Sequence, residues 1–175
     1  MTAPRATALI DDLTRDDGLA ATGTVWEVIS DAVMGGVSFG RLTRDSVQGR
    51  AALRLQGQVR LENNGGFVQM ALDLAPGGGA VDASGWTGIE LEVCGNAEPY
   101  ALHLRTTAAT RPWQSWRQGF TALPDWHRLR LPFAGFVPHR IETPLDPAQL
   151  RRIGLIAIGR AFQADLSLGA VRFYR

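Results

Sequence analysis

The sequence predicts an all-β fold, an antiparallel β-sandwich of the jelly-roll type with at most one short helix. Three observations predict it: the dominant hydrophobic period is two residues, the apolar runs are short, and turn signals recur about every 8–12 residues. Such a pattern is typical of sandwiches and jelly rolls. We expect a single domain spanning residues 1–175, because a chain of this length can bury about 70% of its unfolded surface.

Alternating strands account for most of the chain. The clearest is Trp86–Cys94, and Tyr100–Thr106 repeats its pattern with His103 and Arg105 on the polar side. We expect the polar sides of these two strands to share one solvated or ligand-facing sheet surface. The apolar run Ile153–Ile158 should be central and covered on both sides. Further strands are predicted at 8–13, 25–29, 37–43, 51–61, 67–74, 113–121, 126–131 and 165–174, with a helical turn or two at 146–150.

The segment Trp26–Ser38 is the one around which the chain is organised. It is predicted to run as a strand, a shaped loop and a second strand, because a Ser-Asp pair ends the first strand and a Gly-Gly pair permits a positive φ. In a structural interpretation, Asp31 accepts from the Gly35 and Gly36 amides while Met34 fills the end of the core. In a functional interpretation, this is a binding loop on a rigid scaffold. A catalytic role lacks support, because no base or nucleophile lies nearby in the sequence.

A second glycine-rich turn follows the long strand at 51–61. Glu62-Asn63-Asn64-Gly65-Gly66 combines residues that tolerate a positive φ with the Asn-Gly dipeptide typical of hairpins. We therefore expect residues 67–74 to be the antiparallel partner of 51–61. The turn also supplies Glu62, which with Asp31 makes the one pair of acids that we nominate for a hydrolase.

These segments resemble the signature of the complex I intermediate-associated protein 30 family. The string Trp26…Asp31-Ala32-Val33-Met34-Gly35-Gly36-Val37-Ser38 carries the resemblance, and further matches extend it over most of the chain. They are Glu62-Asn63-Asn64-Gly65-Gly66-Phe67, Tyr100-Ala101-Leu102-His103-Leu104-Arg105, Trp126…Leu131-Pro132-Phe133 and Val171-Arg172-Phe173-Tyr174. The resemblance implies a galactose-binding-like β-sandwich. It also implies a role in assembly, since the family's eukaryotic members are assembly factors for respiratory complex I.

Our first hypothesis is a non-catalytic binding module that acts, chaperone-like, on a protein partner such as a respiratory-complex subunit or assembly intermediate. Its contact surface is predicted to combine the Asp31–Ser38 loop with the Asn63–Phe67 turn, since both matched motifs are glycine-rich loops that flank strands. The candidate binding residues on this surface are Asp31, Met34, Gly35, Gly36, Ser38, Glu62, Asn63, Asn64, Gly65 and Gly66.

Two alternatives belong to other functional classes. A carbohydrate-binding module is suggested by Trp113, because Trp113 and Trp116 fall on opposite faces of a strand, which leaves one of them exposed. Arg105 is a further candidate binding residue, which would hold a carboxylate or a partner's acid, although an ordinary surface ion pair is the simpler explanation. The remote alternative is a hydrolase that uses Asp31 and Glu62.

Composition and charge argue against several other classes. The net charge of +1 gives no attraction to nucleic acid or membrane, and the basic residues, all of them arginine as in codon-biased bacteria, are interleaved with acids. The single cysteine, Cys94, excludes an internal disulfide, and three scattered histidines complete no zinc site, so we predict no metal and no cofactor. Because Met1–Leu9 does not fit a signal peptide and no transmembrane run follows, we predict a cytoplasmic protein, with its oligomeric state left open.

Overall fold

The computed structural model describes residues 2–175. Met1 therefore lies outside the described residues; it is the first residue of the predicted 1–175 domain and of the Met1–Leu9 segment. The strands are β1 (Leu9–Asp11), β2 (Glu27–Ser30), β3 (Phe39–Val47), β4 (Arg50–Val59), β5 (Phe67–Asp73), β6 (Gly88–Gly95), β7 (Pro99–Thr106), β8 (Ser115–Thr121), β9 (His127–Pro132), β10 (Val137–His139), β11 (Leu150–Ile158) and β12 (Phe162–Tyr174). Single 3₁₀ turns occur at Asp31–Met34, Glu62–Asn64, Pro76–Gly78, Phe133–Gly135 and Pro147–Gln149. Among residues 2–175, no helix has the length and apolar content that crossing a bilayer requires.

Two antiparallel sheets face each other and confirm the predicted β-sandwich. The first sheet has the strand order β3-β4-β12-β6-β9, and β1 pairs with β12 off this path. The second sheet has the order β10-β8-β7-β11-β5-β2. Alternate residues of the central strands point between the sheets and form one hydrophobic core. Leu91 and Val171 from the first sheet, with Leu102 and Leu155 from the second, are fully buried there.

The predicted hairpin of residues 51–61 with 67–74 is wrong, because β4 belongs to the first sheet and β5 to the second. Hairpin loops usually have about two to five residues, whereas residues 60–66 here cross the edge of the sandwich from one sheet to the other. Asn63 and Asn64 do adopt the positive φ expected of them, at 59° and 58°. The local conformation of the turn was therefore predictable, but its sheet partners were not.

The predicted shared polar surface of β6 and β7 is also wrong. The two strands lie in different sheets, so their polar sides face outward in opposite directions. On the first sheet, the buried Glu90 accepts hydrogen bonds from Arg130 (3.1 Å) and Arg172 (2.9 Å). On the second sheet, His103 and Arg105 form no ion pair with any acid among residues 2–175. The outer face of the first sheet therefore carries an acid paired with arginines at Glu90, whereas His103 and Arg105 on the outer face of the second sheet are not paired with an acid of the described chain.

Other strand predictions are confirmed. β11 lies between β7 and β5, and its run Ile153–Ala157 is buried on both faces, as its continuous apolar sequence predicts. Asp146 caps the last 3₁₀ turn by accepting a hydrogen bond from the Ala148 amide (3.0 Å). Trp116 is fully buried and Trp113 is 53% exposed, so one of the two is exposed as predicted. The stated reason is wrong, because β8 begins at Ser115 and Trp113 lies in the turn before it.

Candidate functional site

The Asp31–Ser38 loop connects the two sheets at one edge of the sandwich. β2 is the outermost strand of the second sheet, and β3 is the outermost strand of the first. Between them, Ser30 caps the 3₁₀ turn by accepting from the Ala32 amide (3.2 Å), and Gly35 closes it with a φ of 84°. The loop is therefore a structured bridge rather than an irregular excursion.

The Asp31 side chain is fully buried and accepts four hydrogen bonds. Ser38 donates both its amide (2.9 Å) and its hydroxyl (2.5 Å), and the amides of Gly66 (2.5 Å) and Phe67 (3.2 Å) donate from the other loop. Burial alone would raise the pKa of Asp31, but these hydrogen bonds to the ionised carboxylate outweigh burial and hold the pKa below its usual value. Asp31 is thus an ionised structural group that ties the two loops together.

Glycine is required at positions 36 and 65, because the backbone at both positions lies too close to the Asp31 carboxylate to leave room for a side chain. A Cβ atom at Gly36 would overlap Asp31 Oδ1, and a Cβ atom at Gly65 would lie 2.5 Å from Asp31 Oδ2. The structural interpretation of the loop is correct in assigning Asp31 a structural role, but it is wrong about the donors. The Gly35 and Gly36 amides donate instead to the backbone carbonyl oxygens of Ala32 (3.1 Å) and Asp31 (2.9 Å).

Met34 does not fill the end of the core, contrary to the same interpretation. It is 61% exposed, and large apolar side chains of the same loop, of the two strands that flank it and of the segment after β4 are exposed as well. The Met34 surface is defined here as Val28, Val33, Met34, Val37, Phe39 and Leu61. Between Val28 and Gly40 the sequence has no charged residue except the buried Asp31, so this loop presents an uncharged apolar surface. That uncharged run was the sequence signal for Val33, Val37 and Phe39, which were not among the predicted binding residues.

The Asn63–Phe67 turn lies against the first loop, as the predicted contact surface requires. Asn63 Nδ2 donates to the Gly35 carbonyl oxygen at 3.2 Å, which adds a side-chain contact to the bonds made by Asp31. Glu62 and Asn64 are exposed to solvent. A hydrogen bond from Arg60 (2.7 Å) lowers the pKa of the Glu62 carboxyl. Asp31, in contrast, has no contact with solvent, so it is not available to act on a substrate together with Glu62.

The remaining predicted binding residues, Arg105 and Trp113, are not brought to this surface. Arg105 lies on the outer face of the second sheet, opposite Arg152 of β11, which in turn lies opposite Asp73 at the far end of β5. The Arg105 guanidinium donates from Nη2 to the carbonyl oxygens of Ala109 (3.2 Å) and Arg111 (3.1 Å), in the loop that carries Trp113. In the part of the chain that the structure describes, no three His, Cys, Asp or Glu side chains come together as a metal site.

Solved structures with a similar fold include several carbohydrate-binding modules. The family 11 module from Clostridium thermocellum, in complex with a beta-1,3-1,4-mixed-linked tetrasaccharide, has a TM-score of 0.72 at 14% identity and covers 95% of this chain and 94% of its own. The family 11 module of the cellulosomal cellulase Lic26A-Cel5E of the same organism has a TM-score of 0.71 at 14% identity, with coverages of 98% and 96%. The family 30 module of its cellulase Cel9D-Cel44B has a TM-score of 0.63 at 14% identity, with coverages of 98% and 95%. At these identities the likeness establishes the fold alone.

Sequence comparison identifies the family. No curated protein is a detectable match to the chain in sequence. The family model described as complex I intermediate-associated protein 30 matches residues 15–168, a range that includes both the Asp31–Ser38 loop and the Asn63–Phe67 turn. The chain therefore belongs to the complex I intermediate-associated protein 30 family.

Proposed function

We propose that the chain is a non-catalytic binding module that recognises a protein partner through the Met34 surface. The partner is a respiratory-complex subunit or assembly intermediate that presents an apolar, uncharged segment, and the chain acts on it as a chaperone-like assembly factor in the cytoplasm. The exposure of Val33, Met34 and Phe39, at 74%, 61% and 64%, is the observation that carries the proposal. Val33 and Met34 lie on the loop, and Phe39 is the first residue of β3. Exposed patches of large apolar side chains are typical of protein–protein contact sites.

The Met34 surface is held in place before any partner binds. Hydrogen bonds from Gly66 and Phe67 to Asp31 join the Asp31–Ser38 loop to the Asn63–Phe67 turn, and Asn63 adds another to the Gly35 carbonyl oxygen. A contact surface that is already ordered loses little conformational entropy on binding. Met34 keeps a flexible, polarisable side chain that can adapt to an apolar partner. The family's description, which refers to association with a complex I intermediate, also supports a protein as the partner.

Met34→Arg should abolish recovery of the partner without unfolding the protein. A charge placed in the middle of an apolar contact would be desolvated without compensation on binding. Because Met34 is 61% exposed, the substitution should change the free energy of unfolding by no more than about 0.5 kcal/mol. Affinity purification of the tagged protein from extracts of its source cells, followed by mass spectrometry, measures the loss.

Leu123→Arg is the matched control for this experiment. Leu123 is 48% exposed and lies outside the Met34 surface, so this variant should recover the same proteins as the wild type. If Met34→Arg recovers them as well, the proposed surface is wrong. Sedimentation of the purified proteins tests a second occupant: a wild-type dimer that Met34→Arg converts to a monomer would replace the protein partner with a second copy of this chain.

A carbohydrate-binding role is the second candidate, and the exposure of Trp113 favours it. The Trp113 side chain is 53% exposed, whereas Trp116 of the following strand is completely buried. An exposed indole offers a flat apolar face with a polar N–H at its edge, which suits stacking on a sugar ring.

Titration calorimetry with neutral oligosaccharides tests this second role. If the role is correct, at least one neutral oligosaccharide binds, and Trp113→Ala weakens its binding by about tenfold, the effect of removing an aromatic anchor worth about 1–2 kcal/mol. Leu123→Ala removes a similarly exposed apolar side chain and should leave binding unchanged. An absence of heat across a set of neutral sugars would rule the role out.

A further inference from the structure

A recess lies on the second sheet, where β7 and β5 end and β11 begins. Its volume is about 170 Å³, and it is lined by Asp73, Arg105, Thr106, Ala109, Arg151 and Arg152. These six residues are named the arginine recess. The recess borders Asp73, whereas the Asp31–Ser38 loop contacts Phe67 at the opposite end of β5. At about 3.3 Å per residue, β5 separates Asp73 from Phe67 by roughly 20 Å.

The positive charge of the recess is only partly neutralised. Arg152 forms ion pairs with Asp73 (2.9 Å) and Glu27 (3.3 Å). Arg105 and Arg151 form no ion pair with an acid among residues 2–175; Arg151 donates from Nε to the Gly78 carbonyl oxygen at 2.9 Å. The guanidinium groups of Arg105 and Arg151 therefore face the same small space without an ion-pair partner of their own among the described residues, since its one acid, Asp73, is paired with Arg152.

Arg105 also has hydrogen-bonding capacity that its neighbours do not use. Its two hydrogen bonds, to Ala109 and Arg111, both come from Nη2, and its buried Nε has no partner in the described chain. Buried donors are almost always satisfied in folded proteins. Burial, followed by the charges of Arg152 and Arg151, lowers the pKa of Arg105. An anion in the recess would relieve this unfavourable electrostatic environment.

We infer that the arginine recess binds the oxyanion group of a small ligand, either a carboxylate or a phosphate. Arg105 and Arg151 supply planar donor groups whose geometry matches such oxyanions. Pockets that enclose drug-sized ligands have volumes of about 300–1,000 Å³, so a recess of 170 Å³ suits a charged head group of few atoms. Its size favours a small molecule over an acidic peptide. This inference goes beyond the proposed function, since none of the residues that line the recess belongs to the Met34 surface.

Titration calorimetry with five probes tests the inference and distinguishes a phosphate ligand from a carboxylate ligand. Inorganic phosphate and glucose 6-phosphate test for a phosphate, glucuronate tests for a carboxylate, and glucose is the neutral control. At least one anion should bind, glucose should not, and binding should weaken as sodium chloride is added, because salt screens exposed charges. Poly-glutamate serves as the peptide probe.

Substitutions in the recess should shift the affinity in opposite directions. Arg151→Gln should raise the Kd of the anion tenfold or more, because it removes a charge-assisted hydrogen bond. Asp73→Asn should lower the Kd several-fold, because it removes a negative charge and frees Arg152 to bind the anion. Arg41→Gln removes an exposed arginine from β3, on the other sheet, and should leave the Kd unchanged.

The tightening expected of Asp73→Asn is a result that a merely structural ion pair would not produce. The inference is overturned if no anion binds at millimolar concentration, if glucose binds as tightly as the anion that binds best, or if Arg151→Gln binds that anion like the wild type. Binding of poly-glutamate alone would assign the site to a peptide and likewise overturn it. Circular dichroism of each variant shows whether the fold is retained, and Arg105→Lys, which keeps the charge but loses the planar fork, supplies an independent test if Arg151→Gln does not fold.

Discussion

Replacing Asp31 with asparagine should lower the free energy of unfolding by about 3–4 kcal/mol, the typical cost of disrupting a buried and fully hydrogen-bonded charge. The new side chain keeps the shape of the old one but presents an NH₂ group where only donors approach. Ser38, Gly66 and Phe67 all donate to this carboxylate, so at least one backbone amide would then face another donor. Urea denaturation at neutral pH, monitored by tryptophan fluorescence, measures the loss.

Asp146→Asn is the matched control for the Asp31 substitution. Asp146 is an exposed carboxylate that accepts one hydrogen bond, from the Ala148 amide at 3.0 Å. Its replacement should cost less than about 1 kcal/mol, because asparagine caps helical turns nearly as well as aspartate. If Asp31→Asn lowers the free energy of unfolding no more than Asp146→Asn does, the carboxylate does not hold the two loops together. Contrary to the proposal, the Met34 surface would then not be ordered by Asp31.

The residues of the Asp31–Ser38 loop divide into two groups with different physical roles. Asp31, Gly36 and Ser38 are fixed by hydrogen bonding and close approach, which leaves no polar atom of Asp31 free for chemistry. Val33 and Met34 are exposed, and the hydrogen bonds of the loop do not involve their side chains. Hydrogen bonding and close packing explain the residues of the first group. The exposed side chains of the second group have no such structural role, which is consistent with contact with a binding partner.

The sandwich could be predicted from the sequence because a period of two directly reports a strand with one buried face. β11 shows this most clearly: its unbroken apolar run predicts a strand covered on both sides, and Ile153–Ala157 are buried. Local turn chemistry was equally informative at Asn63 and Asn64, where residue type limits the allowed φ values.

The pairing of strands could not be predicted in the same way. In a sandwich, the inner faces of both sheets contribute to one core, so an alternating strand has the same pattern in either sheet. β4 and β5 are adjacent in sequence and equally apolar on their inner sides, yet they face each other across the core instead of pairing. Hydrophobic periodicity specifies which side of a strand is buried, but it does not specify the strand's neighbour.

The candidate sites could be predicted to the same extent: local features were predictable, whereas contacts that depend on strand pairing were not. Residue types and the family resemblance predicted that the Asp31–Ser38 loop and the Asn63–Phe67 turn form one surface, and hydrogen bonds from Gly66 and Phe67 to Asp31 do join them. The arginine recess was missed except for Arg105. Arg105, Arg151 and Asp73 come together only through the register of three strands, which no local pattern encodes.

His103 should make the free energy of unfolding fall by about 2.5 kcal/mol between about pH 7 and 4.5. The residue is 9% exposed on the outer face of the second sheet, and it lies opposite Arg117 in β8 and Gly154 in β11. Burial, followed by the positive charges of Arg117 and His139, lowers the pKa of His103 from 6.5 to about 3. As the pH falls below 6.5, the unfolded chain takes up this proton before the folded chain does. The stabilisation is therefore present in full above pH 6.5 and is lost progressively on acidification toward pH 3.

His103→Gln should remove this part of the pH dependence, because glutamine does not titrate. Urea denaturation of wild type and variant at a series of pH values gives the two slopes, and their difference should amount to about 2.5 kcal/mol over the interval. His139→Gln is the comparison variant: it removes one of the two positive charges that face His103 but leaves the buried ring, so most of the wild-type slope should remain. An unchanged slope in His103→Gln would mean that the imidazole takes up its proton in the folded chain. Its Nε2, which has no partner among residues 2–175, would then have gained an acceptor such as a bound water or anion on this face.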